Sequence, residues 1–233
     1  MELKKESMQI LKEKSRAKSQ ITFDEDFNVP DAKPDAGRLI QNKGRIIMDD
    51  VRLTDGKGIL TGNLQVDILY VGEERGIVSS LTAKLPFEET LNLKNIINGD
   101  KMCLKWEIED LTIRLIHSRK LNIKALVTFC ATVDETEQIR LPVALDAEEV
   151  SVRKKTVRFL GLTVHKKDTL RIKDEYTIAS NRPDIASLIW YTMDVRGLDL
   201  KPEENVVKAR GELSVFVLYG AEDTEAPVQW LEY

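Results

Sequence analysis

Imidazoles, thiols and paired carboxylates are the side chains best placed to do chemistry near neutral pH, and this chain is sparing with the first two. It has two histidines, His117 and His165, and two cysteines, Cys103 and Cys130. A structural zinc site closes with four N or S ligands at characteristic spacings. These four residues have no such spacing, so no metal is expected. His117 falls at a predicted hairpin tip, and His165 stands beside Lys166 and Lys167, which disfavour its charged form. Both read as solvated surface residues, and the two thiols as small apolar side chains in a reducing compartment.

The carboxylates are more numerous but no better organised. Asp24-Glu25-Asp26 lacks the glycine and terminal glutamate of a calcium loop. On a strand its neighbouring side chains point to opposite faces, so a solvated strand face is expected. Asp49-Asp50 and Glu73-Glu74 read as charge flanking turns. Gly56-Lys57-Gly58 followed by Gly62 is the one glycine-rich stretch. A phosphate cradle needs a strand, a loop and then a helix; here a strand follows, so the stretch reads as a hairpin turn. No serine sits in a nucleophile elbow, and no Ser/His/Asp set can be nominated. No catalytic residue, metal site or cofactor is therefore expected, and a binding or structural role is favoured over an enzyme.

Charge offers little more. Lysine and arginine total 35 against 39 acidic residues, for a formal net charge of -4. Such a balance creates no global field that would recruit nucleic acid. The N-terminal Lys4, Lys5, Lys12, Lys14, Arg16 and Lys18, with Arg153-Lys154-Lys155, are the best case for an anionic surface, but Glu2, Glu6 and Glu13 dilute them. No apolar run approaches bilayer length, and the N-terminus lacks the apolar core of a signal peptide. A cytosolic start with no integral membrane segment is the expectation.

The elements that carry these residues repeat. Slid against itself at a constant offset, the chain places residues 1–84 over 150–233. Pro34-Asp35 falls on Pro183-Asp184, Leu39-Ile40 on Leu188-Ile189, and Gly62, Leu64 and Val66 on Gly211, Leu213 and Val215. Leu69-Tyr70 falls on Leu218-Tyr219. A first unit over residues 1–135, a connection over 136–147 and a second unit over 148–233 follow from this offset. The second unit stops opposite Lys84, which predicts that it is C-terminally truncated, as in a fragment of a longer protein.

Most segments alternate apolar and polar residues with the period of a half-buried strand. Leu64, Val66, Ile68 and Tyr70 form one row; Leu104, Trp106 and Ile108 form another, resumed in opposite phase by Leu111, Ile113 and Leu115. That phase change predicts a bulge near Asp110. Leu121, Ile123, Ala125, Val127 and Phe129 form the clearest row, preceded by a hairpin turn within Ile116–Lys120. The first eighteen residues fit a helix by lysine spacing, but the repeat equates them with the strand-like run Val150–Val164, which favours strand. Short helical turns are expected at Pro34–Ile40, Pro183–Ile189 and Leu93–Ile97. The predicted fold is all-β, in tandem antiparallel sandwich-like units with those helical turns.

Val29-Pro30-Asp31, Lys33-Pro34-Asp35, Gly62 to Tyr70, Leu85-Pro86-Phe87-Glu88 and the hairpin Ser118-Arg119-Lys120-Leu121 occur in an order that resembles the SPOCS domain, a spore-coat-associated module of endospore-forming Firmicutes. The resemblance implies an assembly role in the mother-cell cytosol, at the forespore surface, with other spore-coat morphogenetic proteins as partners. Similar proteins add a C-terminal LysM module associated with contact to the coat ATPase; this chain shows none, so that contact is not carried over. The markers Pro34, Asp35, Gly62, Tyr70, Pro86 and Phe87, with Pro183, Asp184, Gly211 and Tyr219 in the repeat, read as fold-defining.

Two functions follow. A scaffold acting by protein–protein interaction predicts an apolar patch or an unpaired strand edge, and counts self-association among its contacts. The alternative, a small-molecule or cell-envelope polysaccharide-binding sandwich, predicts an exposed aromatic shelf built from Trp190, Tyr191 or Trp230, against ordinary core packing of the same rings.

Overall fold

The computed structural model describes residues 2–74, 76–97, 99–146, 151–153, 155–158, 160–162, 169–221 and 227–233. Among these residues, nine strands form three antiparallel sheets of three. β1 (Glu2–Asn28), β6 (Lys120–Asp146) and β5 (Met102–His117) form the first, in the order β1-β6-β5. β2 (Ala36–Thr54), β3 (Lys57–Gly72) and β4 (Val78–Asn92) form the second, and β7 (Ser187–Glu203), β8 (Val206–Gly220) and β9 (Val228–Glu232) the third.

The first two sheets pack face to face, and their central strands supply the core. On β3, Leu60, Leu64, Val66, Ile68 and Tyr70 are fully buried; on β6, so are Leu121, Ile123, Val127, Phe129, Ala131 and Val133. Each row keeps period two, so one face of each sheet leaves water and meets the other sheet. At about 1.5–3 kcal/mol for each large aliphatic side chain buried, these two rows dominate the stability of the sandwich. Phe87 of β4 binds the layers, 5.2 Å from Phe129 and 6.2 Å edge-on from Phe23 of β1. Gly44 on β2 lets the facing sheet come close: a Cβ there would stand 3.0 Å from Ile108 and Leu111 of β5.

The anticipated bulge is present, with the β5–β6 register shifting between Ile108 and Asp110. Three expectations are corrected. No helical turn is found at Pro34–Ile40, Pro183–Ile189 or Leu93–Ile97; the two proline segments lead directly into β2 and β7. Their apolar residues find partners across a sheet, which outweighs the local preference of proline for a first helical turn. Asp49 and Asp50 lie within β2, where its register shifts, rather than beside a turn. Residues 136–146, assigned from sequence to the connection, are strand: β6 continues to Asp146, paired with β1 back to Glu2. Pro142 is tolerated there because β5 has already ended and the register shifts opposite Lys5.

The third sheet repeats the second. Leu188 opposes Tyr219 as Leu39 opposes Tyr70, and the register shift after each leucine recurs. The hairpin turns match as well: Gly56 takes a φ of 76°, and Asn205, at the equivalent place, takes 61°. Asparagine is among the few side chains that accept this left-handed conformation. Within the strand-like run Val150–Val164, the described residues form no strand; Lys154, Phe159 and the stretch that includes His165 lie outside the described residues.

Candidate interaction surface

The residues shared by the two repeats converge on one corner of the sandwich. Pro34 ends the loop between β1 and β2, and its carbonyl accepts a 2.9 Å hydrogen bond from the Tyr70 hydroxyl. Burial raises the Tyr70 phenol above its ordinary pKa, which keeps it a donor. The β5–β6 hairpin tip closes over the same loop. The Arg119 guanidinium donates to the carbonyls of Lys33 and Val29, both at 3.0 Å, and to the carboxylates of Asp35 at 2.9 Å and Asp31 at 2.8 Å. The backbone completes the clamp: Val29 N–H donates to Arg119 O, and Ala36 N–H to Ser118 O. Only the fixed fork of an arginine can reach four acceptors in this way. Sequence reasoning placed Arg119 in the hairpin but missed its role; the signal available was one arginine at a two-residue turn, with Asp31 and Asp35 in a distant loop.

Gly62 and Phe87 are opposed across β3 and β4. A Cβ on Gly62 would lie 2.4 Å from the Ile47 carbonyl oxygen and 3.0 Å from the Phe87 ring, so no larger residue fits without backbone movement. Pro86 lies opposite Asn63 on β4, an edge strand that tolerates a missing donor.

The second repeat keeps half of this corner. Tyr219 is fully buried, and its hydroxyl donates to the Pro183 carbonyl at 3.3 Å, as Tyr70 does to Pro34. Gly211 is less confined than Gly62, with the nearest backbone oxygen, that of Arg196, 3.3 Å from a Cβ. Among the described residues, no hairpin closes over this loop. Asp184, the counterpart of Asp35, is exposed and forms no ion pair among the described residues.

The difference extends along the sheet. Register and alternation place Met193, Val195, Leu200, Val207, Leu213, Val215, Val217 and Tyr219 on one face of β7 and β8. Leu213 and Val195 are the counterparts of Leu64 and Ile46, which lie in the sandwich core. Leu64 is 0% exposed and Ile46 9%, whereas Leu213 is 42% exposed and Val195 63%. Ile178 and Leu231 pack near Tyr219, and the Tyr176 and Tyr233 rings meet at 4.9 Å. Beyond this covered end, Met193, Val195, Leu200 and Val207 remain exposed, with Leu198 exposed in the β7 bulge.

The other residues singled out from sequence are dispersed. Asp24 and Asp26 pair with Lys124 and Lys120, each at 2.8 Å, and Asn122 donates to both carboxylates. These bonds lower the pKa of both acids. His117 is exposed at the hairpin, its Nδ1 accepting from the Arg119 N–H at 3.3 Å. Cys103 is exposed rather than buried, and Cys130 is half-buried on the neighbouring strand. Among the described residues, no three His, Cys, Asp or Glu side chains are grouped to hold a metal, and no helix is long and apolar enough to cross a membrane. The three aromatics proposed for a shelf do not share one. Trp190 is buried, Trp230 is exposed and stacks with Phe216 at 6.2 Å, and Tyr191 lies on the opposite face of the sheet.

A two-sheet antiparallel sandwich, its corner closed by an arginine hairpin and followed by a like sheet with an open apolar face, defines the protein structurally. Residues 35–116 match the family model described as SipL, SPOCS domain. That span contains Asp35, Gly62, Tyr70, Pro86 and Phe87 and stops just before Arg119. No curated protein and no solved structure is significantly similar to the chain.

Proposed function

We propose that this chain is a non-enzymatic assembly protein of the spore coat, acting by protein–protein interaction with other coat morphogenetic proteins in the mother-cell cytosol, at the forespore surface. The observation that carries the reading is the open face of β7 and β8. Residues whose counterparts build a core face are here left in water, and contiguous apolar surface of this kind is characteristic of interaction sites. The match of residues 35–116 to the SPOCS-domain model supports the sporulation context of this reading. The marker residues act, in this reading, by holding the proline–aspartate corner, with residues 1–135 and 148–233 as two units of one design.

Affinity capture from sporulating cells tests it, comparing the chain, the chain extended past Tyr233 and a Val195→Asp/Leu213→Asp variant. Coat proteins are expected with the first two and lost with the variant. Equal recovery by the variant, or normal coat localisation in a strain lacking the protein, would overturn the reading.

A further inference from the structure

Among the described residues six strands lie at the edges of the three sheets, and an edge presents backbone groups that can recruit another chain. Five of these edges are blunted. The register breaks in β1, β2, β5 and β7, and β9 has five residues. β4 pairs with β3 without a break, and its opening run, Val78-Ser79-Ser80-Leu81-Thr82-Ala83, carries no charge. Gly72 N–H donates to Ile77 O at the start of this hairpin. Antiparallel pairs alternate between bonded and non-bonded, so the odd residues of β4 bond to β3. The amides and carbonyls of Val78, Ser80, Thr82 and Lys84 therefore point to the outer side. Pro86 belongs to the same outward set, where its missing N–H removes no ladder bond.

That outer side borders an open cleft. A space of about 530 Å³ separates Val78–Ser80 of β4 from Ser187–Ile189 of β7 and is also lined by Lys33. A second, of about 160 Å³, shares Ser80, Leu188 and Ile189 with it and reaches Lys43, Asp67 and Thr82. Asp67 is already engaged, accepting from Thr82 Oγ1 at 2.7 Å and pairing with Arg45 at 3.3 Å. The lysines therefore set the sign of the groove.

We propose that this groove takes an extended, acidic segment of a partner chain, which adds to the outer edge of β4 as a strand. Main-chain bonds to Ser80, Thr82 and Lys84 supply the affinity. Apolar side chains of the segment continue the buried row of Leu81, Ala83 and Leu85, and its carboxylates meet Lys43 and Lys84 on the other face. A second copy offering its own β4 would bring a whole sheet to the same place. β7 stands across the groove, so a single extended segment fits where a folded edge does not.

The proposal rests on the reading of this chain as an interaction protein and gives it a surface separate from the face of β7 and β8. The probe is a fluorescein-labelled octapeptide in which valine alternates with glutamate, titrated with the full chain and followed by anisotropy. Saturable binding is expected, with slowed hydrogen exchange in Val78–Leu85, and a lysine-for-glutamate peptide should bind at least about tenfold more weakly. Ser80→Pro removes one outward donor and leaves the β3 ladder whole, so it should weaken binding at least about tenfold. Ser80→Ala keeps the amide and should bind as the unaltered chain does. Should Ser80→Pro fail to fold, Lys43→Glu carries the test, and is expected to weaken the acidic peptide several-fold and favour the lysine peptide. Absence of saturable binding overturns the proposal, as do equal binding by a folded Ser80→Pro chain, indifference to Lys43→Glu, or protection confined to β7 and β8. A dimer in sedimentation that Ser80→Pro dissociates, with no peptide bound, assigns the edge to a second copy and overturns it too. Coat proteins captured by a chain that binds no peptide would sink the groove and leave the assembly reading standing. Peptide binding at β4 with no coat protein captured would support the groove and sink that reading.

Discussion

At the residue scale, Arg119 does more than its place at a hairpin tip suggests, half-buried between two loops. It neutralises two carboxylates and occupies two carbonyls that would otherwise compete only for water. Charge-assisted hydrogen bonds of this kind contribute roughly 1.5–3 kcal/mol each when removal leaves the partner short. They share one side chain and one partly exposed site, so Arg119→Ala is expected to cost about 3 kcal/mol in urea denaturation. Arg119→Lys should restore less than half of that, because an ammonium cannot span the fork. The pH limits of stability also lie in single side chains. Asp24, Asp26 and Asp100 are held below the usual carboxylate pKa by hydrogen bonds from Lys124, Lys120 and Lys14. Their contribution is complete above the unfolded value, near about 4, and disappears as pH falls through the lower folded values. The urea midpoint should therefore drop on acidification below about pH 4, and Asp100→Asn should flatten that slope. A midpoint independent of pH in that range would contradict the assignment.

At the element scale, the two glycine positions test how faithfully the second hairpin copies the first. In β3, a side chain at Gly62 would run into the backbone of β2 and the Phe87 ring. In β8, a Cβ at Gly211 would stand 3.3 Å from the Arg196 carbonyl oxygen, a tight approach but far from the overlap at Gly62. Gly62→Ala is expected to destabilise the sandwich by about 2–3 kcal/mol, within the range of overpacked cores. Gly211→Ala should cost under about 1 kcal/mol, and the ratio of the two can be read from thermal unfolding of the single variants. Similar losses at both sites would mean that the third sheet is closed as tightly as the second. The alternating row of β3 and the turn before it were legible in sequence, because side chains two apart share a face and glycine marks a tight turn. The helical turns were not, because proline followed by apolar residues suits a first helical turn and a strand entry equally well.

At the scale of the whole molecule, stability is uneven. One body of apolar side chains binds the first two sheets, whereas the buried cluster of the third comprises Tyr219, Ala221 and Leu231, with Ile178 and Val217 packed against it. Local opening follows the density of buried contacts. Backbone amides of β7 and β8 should therefore exchange with deuterium well before those of β3 and β6, in native-state exchange read by mass spectrometry. Uniform protection would show that the third sheet is already covered.

The sequence alone determined the all-β class, the repeat offset, the hairpin before Leu121 and the bulge near Asp110, because each follows from local period and turn chemistry. It also singled out Pro34, Asp35 and Tyr70 together with Pro183, Asp184 and Tyr219. Only the tertiary structure decided that two carbonyl–tyrosine bonds link these residues, that Arg119 closes one corner and nothing described closes the other, and that β6 runs on to Asp146. The reason is physical. Period and turn chemistry are properties of neighbours along the chain, whereas a clamp between Asp31 and Arg119, or a face left without its cover, depends on which distant strands come together.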